Sequence, residues 1–305
     1  MSLLHFTWAG LLLATLGLAG WWWRHQQRAQ HARCHVQETL ASCCHLLALA
    51  THLQQHRGMS SAWLSGDASF EPRLLDKRRQ IDAVFPLLMV SARIESVQAY
   101  PCLTANDVSL FRFRWQNLLE GLPRMAPETS ISQHSFMVAQ VLEWLSALGE
   151  ARLEPLAGPH LALGMIRNYA HRLPALTECL GQARAIGSSV AARHGCTPVA
   201  RVRLMFLISR AEALLEQAAT ADNHGAFTLQ TRLTVQEMAR TVRTSMLLSH
   251  GVVVSPEQYF SIASQAIDAV YAWIGACADD IRQHTAAANL AADMTSLLVG
   301  RGGSC

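Results

Sequence analysis

One arginine stands on an apolar helical stripe in this chain, and few folds can hold it there. In the stretch Leu53-Gln-Gln-His-Arg-Gly-Met-Ser-Ser-Ala-Trp-Leu64, the positions at helical spacing from Arg57 are Leu46, Ala50 and Leu53 before it and Ser61 and Leu64 after it. These share one face of a helix. A guanidinium left unpaired in a dry interior costs on the order of several kcal/mol. Either a carboxylate or a bound anion must meet it, and Asp82, Glu178 and Asp268 are the candidate carboxylates.

The arrangement recurs 127 residues later in Leu180-Gly-Gln-Ala-Arg-Ala-Ile-Gly-Ser-Ser-Val-Ala191. Without gaps, Leu180 falls on Leu53, Gln182 on Gln55, Arg184 on Arg57 and Ser188 on Ser61. Arg184 also continues an apolar face, with Leu176 and Leu180 before it and Ser188 and Ala191 after it. Small residues follow each arginine within a few positions, which lets a second helix or a ligand approach the backbone.

The N-terminus carries a second constraint. Leu3 to Trp23 is a run of 21 residues without charge, enough to cross about 30 Å of hydrocarbon as a helix. Trp21, Trp22 and Trp23 end it in the manner of an interfacial belt, and Arg24, Arg28 and Arg33 follow at once. Residues 1–30 are therefore expected to be a transmembrane anchor with a basic juxtamembrane segment, not a cleaved signal peptide. The positive-inside rule puts the rest of the chain in the cytoplasm, single-pass from a bacterial inner membrane. The eight cysteines agree, since they form no CxxC pair and suit a reducing compartment as small buried hydrophobes.

From Arg24 to Gly66 only Gly58 weakens a helix, so the anchor is expected to run directly into the helix that bears Arg57. A turn at Asp67–Pro72 precedes a helix from Arg73 to about Val97, and Thr104 caps another that reaches Leu122. Thr129 or Ser130 opens a helix to about Leu153, with Phe136, Val138, Val141, Leu142 and Leu145 as its buried side. His160 to His194 reads as one long helix, interrupted near Pro174. Thr197 caps and Pro198 starts the next, to Ala219, and a further helix runs from the turn at Asp222–Gly225 to about Ser249. Gly251–Pro256 is an extended connection into a last helix that ends near His284, leaving 286–305 as a mobile tail. No strand alternates with helix, so the fold class is all-α, long enough for helical bundles.

In four stretches the chain resembles the nitrate- and nitrite-sensing (NIT) domains of bacterial receptors and of a nitrate-responsive antiterminator. They are Leu53-Gln-Gln-His-Arg-Gly-Met-Ser-Ser, Leu75 to Asp82 with Arg79, Leu180-Gly-Gln-Ala-Arg-Ala-Ile-Gly, and Val254-Ser-Pro-Glu-Gln-Tyr-Phe followed by Ala266-Ile-Asp268. The resemblance covers roughly residues 35 to 285, which makes 31–285 the expected sensor domain. It implies two packed four-helix bundles sharing long helices, with nitrate or nitrite bound between arginines of those helices. Arg57 and Arg184 fall on matching positions. The family often places a second basic residue just before the first arginine. Here that is His56, which would add pH dependence because imidazole donates two hydrogen bonds only when charged. A third arginine from a later helix is also implied, with Arg243 or Arg240 as its source.

The expected function is a membrane-anchored nitrate or nitrite sensor. Since no kinase-like, chemoreceptor-like or RNA-binding segment follows His284, its signal is expected to pass to a separate signalling protein. The long membrane-proximal helices are compatible with a homodimer. The alternative is a helical membrane-bound scaffold that has lost anion binding. No P-loop, HExxH, GxSxG or nucleophile with its base points to an enzyme, and no cofactor is expected. A net charge of +3 with one lysine, Lys77, is not the basic cluster of a nucleic-acid binder. His31/His35 and His52/His56 have i,i+4 spacing, but with fourteen histidines in the chain such spacing arises often, and no metal is expected. Trp63, Trp115, Trp144 and Trp273 are expected in the core or an interface.

Overall fold

Small polar residues and prolines write the helix starts. Thr104 accepts from the Asp107 N–H at 3.1 Å while the Asp107 carboxylate accepts from the Thr104 N–H at 2.9 Å, a reciprocal capping box. Thr197 accepts from the Ala200 N–H ahead of Pro198, and Ser255 does the same for Gln258 ahead of Pro256. The computed structural model describes the backbone of residues 2–158, 161–221, 225–247 and 251–301. It describes the side chains of 21–23, 36–158, 161–221, 225–247 and 251–285. Among these residues every regular element is helical: α1 (Ser2–Leu64), α2 (Glu71–Glu95), α3 (Ala105–Gly121), α4 (Pro127–Leu148), α5 (Leu163–Arg167), α6 (Leu173–Ala192), α7 (Pro198–Thr220), α8 (Gly225–Thr241) and α9 (Pro256–Arg301).

The chain divides into two units, one of residues 39–279 and a smaller one of residues 1–38 with 280–305. In the smaller unit Trp21 and Trp23 are exposed. No helix among the described residues is long and apolar enough to cross a membrane. The side chains of Leu3 to Gly20, on which the expected anchor rests, lie outside those residues. So do those of His31, Cys34 and His35, and residues 302–305.

Within the larger unit, Leu46, Leu49, Ala50 and Leu53 give α1 a fully buried face. Phe85 of α2, Phe111 of α3 and Trp144 of α4 follow one another with ring centroids 6.2 and 5.2 Å apart, and Trp115 is completely enclosed. Further along the chain α6 packs on α7 and α7 on α8, with Tyr259 and Trp273 of α9 buried. Gly66 ends α1 in the left-handed region (φ +107°), where a side chain would be strained, and its N–H returns to the Trp63 carbonyl.

Two sequence expectations are corrected, and a third is met in a particular form. Phe136 is 60% exposed under the Arg114 guanidinium, because the buried side of α4 runs through His134, Met137, Val138, Val141, Trp144, Leu145 and Leu148, centred about 140° round the helix from it. The interruption expected near Pro174 is a π turn over Asn168–Arg172 in which the Leu173 N–H reaches back to the Asn168 carbonyl. The wider turn spares the chain a contact that proline cannot make. Finally, the α9 backbone stays helical to Arg301 and does not stop near His284, since residues 285–299 contain neither glycine nor proline and are rich in alanine and leucine.

Gly187 of α6 is a packing necessity. A Cβ there would overlap Cε1 and Cζ of the fully buried Tyr259, whose hydroxyl donates to the Ala183 carbonyl at 2.8 Å. Gly187→Ala is expected to destabilise the protein by about 1–3 kcal/mol, read as a lower urea midpoint. An unchanged midpoint would mean that α6 and α9 are not in this contact.

Candidate functional site

Arg57 sits in the last two turns of α1 with 1% of its surface exposed. Its Nη1 donates to Glu178 Oε1 of α6 at 2.5 Å and to Ser135 Oγ of α4 at 2.8 Å. The carboxylate is held in turn: Gln182 Nε2 donates to Oε1 at 2.7 Å and Gln54 Nε2 to Oε2 at 3.0 Å. Tyr271 of α9 orients Gln54 by donating to its Oε1 at 3.0 Å. The carboxylate that could meet Arg57 is therefore present.

That pairing satisfies only part of the guanidinium. Nε and Nη2 of Arg57 are buried and have no hydrogen-bond partner. Together they form the side edge of the fork, two parallel N–H donors that match a planar oxyanion. Gly181 of α6 stands behind this edge, where a Cβ would come 2.9 Å from Nη2.

Arg184, one and a half turns beyond Glu178 on α6, belongs to the same region. Its Nη1 donates to Ser264 Oγ at 3.1 Å, and its guanidinium lies over the Phe260 ring, 5.0 Å from the centroid. Burial first, and then the positive charge of Arg57, pull Arg184 below the usual guanidinium range, while Asp268 at the exposed rim of α9 opposes them. The Arg57 charge thus acts on the half-buried Arg184.

His56 is directed elsewhere. His134 Nδ1 lies 2.7 Å from the Ser130 carbonyl, which can only accept, so Nδ1 carries the proton and Nε2 is bare. His56 Nδ1, 2.8 Å from that Nε2, must then donate to it. The pair stacks beside Trp115. Burial, then His134 and the cations Arg78 and Lys77, push the His56 pKa down to about 2. Burial is also the main cause for His134, down to about 4, with the Arg57 charge adding to it. The expectation that a charged His56 offers two donors to an anion is corrected: it is a neutral donor already committed to His134.

Nor does the structure bring a third arginine in. Arg243 is exposed and forks onto Glu212 of α7 with both contacts at 2.6 Å, and Arg240 pairs with Glu237 on the surface. Each guanidinium is captured by a carboxylate on its own outer face. Of the residues singled out in the sequence, Arg57 meets Glu178 directly, and Arg184 is tied to them through the Arg57 charge that acts on it. Sequence reasoning missed Gln54, Gln182 and Ser135. Gln54 is one turn from Arg57 and Gln182 one turn from Glu178, so helical spacing held the signal for two of the three.

His52 lies against Lys77 and His56 against His134, and among the described residues no group of three or more His, Cys, Asp or Glu is placed to hold a metal. Burial raises the Cys43 thiol, and the Cys179 thiol to about 11, so both are unreactive at neutral pH. A cleft of about 510 Å³ lined by Thr241, Ser245, Val253, Gln258 and Ser261 contains neither arginine of the cluster.

Residues 48–282 match the family described as nitrate and nitrite sensing. No curated protein matches the sequence. The solved structure of the NasR transcription antiterminator superposes with a TM-score of 0.65 over 93% of this chain and 79% of that one. The two are 16% identical, so this likeness speaks for the fold alone.

The histidine pair makes stability acid-sensitive with a definite sign. Both folded pKa values lie below the ordinary 6.5, so the unfolded chain binds more protons as pH falls. The contribution is complete above about pH 6.5 and is lost progressively as pH falls, down to about pH 4 for His134 and about pH 2 for His56. Urea unfolding at pH 7.5 and 5 should show the loss in the parent and a flatter profile in His56→Asn/His134→Gln. Equal slopes in both would show that other groups govern acid unfolding.

Proposed function

The chain belongs to the nitrate and nitrite sensing family, and from that premise we propose that it binds nitrate or nitrite between Arg57 and Arg184. The observation that carries this reading is the unpartnered Nε and Nη2 edge of Arg57. An ion pair with Glu178 by itself would suit a helical scaffold that binds nothing, but a scaffold has no use for two orphaned donors beside a second arginine. Leaving each buried donor unpaired costs about 1–3 kcal/mol, and a bound oxyanion recovers that cost.

Because Arg57 is closed off from solvent, an anion reaches its free edge only when the surrounding helices part. Once between the guanidiniums it cancels their repulsion and draws α1 and α6 together. The closed and open arrangements then differ in anion affinity, which is what a switch requires. The helices would belong to two four-helix bundles, and Arg57 itself lies on α1, the helix that also contains the uncharged run Leu3–Trp23. That run anchors the protein in the bacterial inner membrane with the sensor domain in the cytoplasm, and displacement of α1 is read by a separate signalling protein.

Calorimetric titration of the full chain tests the site. Nitrate or nitrite should bind saturably and chloride should not. Arg57→Lys keeps a cation beside Glu178 but lacks the side edge of the fork, and Arg184→Gln removes the facing charge; each should weaken binding about 10- to 100-fold with the fold intact. Absence of heat and of any thermal shift from a folded parent would sink the reading in favour of the scaffold. For the anchor, the chain should stay in the membrane pellet after an alkaline wash, and its release would refute a transmembrane segment.

A further inference from the structure

We infer that Glu178 is the specificity residue of this site: it sets the net charge so that the pair of arginines accepts a singly charged oxyanion and excludes a doubly charged one such as sulfate. The inference rests on the binding of nitrate or nitrite at Arg57 and Arg184.

Three charged side chains set the balance of charge at this site. Arg57 and Arg184 contribute two positive charges, and Glu178, whose side chain is 10% exposed, contributes one negative charge at 2.5 Å from Arg57 Nη1. The other polar groups there carry none. Gln54, Gln182, Ser135 and Ser264 are neutral, Tyr271 is held in its protonated form by burial, and His134, next to Ser135, is uncharged at neutral pH. Asp268 acts on Arg184 from an exposed position, where solvent screens it.

One net positive charge remains. A nitrate or nitrite ion on the free Arg57 edge reduces it to zero, which is the cheapest state to enclose. Sulfate would leave an uncompensated negative charge in a dry site, at a cost of several kcal/mol by order of magnitude. Geometry alone would not discriminate, because a guanidinium fork grips two oxygens of either ion equally well. The carboxylate is also not a mere filler of the space between helices. Gln54 and Gln182 each donate to it, and Tyr271 holds Gln54 in place, so the structure fixes the charge from three sides.

The test titrates sodium nitrate, nitrite and sulfate at matched ionic strength into the full chain, into Glu178→Gln, and into Glu178→Gln/Gln182→Glu. The last variant keeps a carboxylate in the cluster, moved by one helical turn to a side chain whose Nε2 now lies 2.7 Å from Glu178. The parent is expected to bind nitrate or nitrite and not sulfate. Glu178→Gln should keep nitrate binding and gain sulfate binding by about tenfold or more, and the exchanged pair should exclude sulfate again. A Glu178→Gln protein that binds nitrate and still excludes sulfate overturns the inference while leaving the nitrate site intact. An exchanged pair that binds sulfate as well as nitrate overturns it too, and decides the matter if Glu178→Gln does not fold. A parent that binds no nitrate fails the functional reading, and the inference falls with it.

Discussion

The contact between Arg57 and Glu178 is the interaction on which the rest of the site depends. Taking either charge out of water alone would cost several kcal/mol, so each is tolerable only because the other is there. The carboxylate has more acceptor capacity than one guanidinium nitrogen can fill, and Gln54 and Gln182 take up the remainder. Gln54 can present its amide nitrogen only because Tyr271 occupies its oxygen. Three further side chains, on α1, α6 and α9, are thereby fixed around one buried charge pair. The small residue Gly181 completes the arrangement, since a larger one would press on Arg57 Nη2.

Much of this was legible in the sequence, for reasons that particular residues make clear. Thr104, Thr197-Pro198 and Ser255-Pro256 announce their helices because capping is a local interaction, decided within four residues. The burial of Arg57 was legible because Leu46, Ala50 and Leu53 share its face. What helical spacing cannot supply is the identity of the neighbour across the face. Phe136 looked like core on hydrophobicity alone, although helical spacing already sets it on another side of α4 from Val138, Val141 and Leu145. Arg243 could be carried to the site by analogy, but Glu212 lies closer. The alternatives of carboxylate or anion for Arg57 were posed as exclusive, although a guanidinium has five N–H groups and can satisfy the first while still offering the second.

The histidines show a related point about charge. His56 sits where a second cation was anticipated, yet its neutral form is the one the fold stabilises, through a directed chain from His56 to His134 to the Ser130 carbonyl. A charged imidazole there would add to the repulsion between the arginines, and the Arg57 charge already opposes protonation of His134. The electrostatics of the cluster are consequently set by arginine and carboxylate, with the histidine pair held neutral.

A binding site proposed to work as a switch must be less than fully satisfied in its empty form, and Arg57 shows how a fold can arrange that without falling apart. Its end nitrogen Nη1 is committed to Glu178 and Ser135, which keeps the helices associated. The side edge is left short of two hydrogen bonds, about 1–3 kcal/mol each. That deficit is of the same order as typical coupling free energies between sites, 1–3 kcal/mol. Had the carboxylate taken both edges, an anion would have nothing to gain. Had it taken neither, the buried charge would not be held at all. A pairing that uses one edge and spares the other keeps the empty fold stable and lets a ligand of the right charge change it.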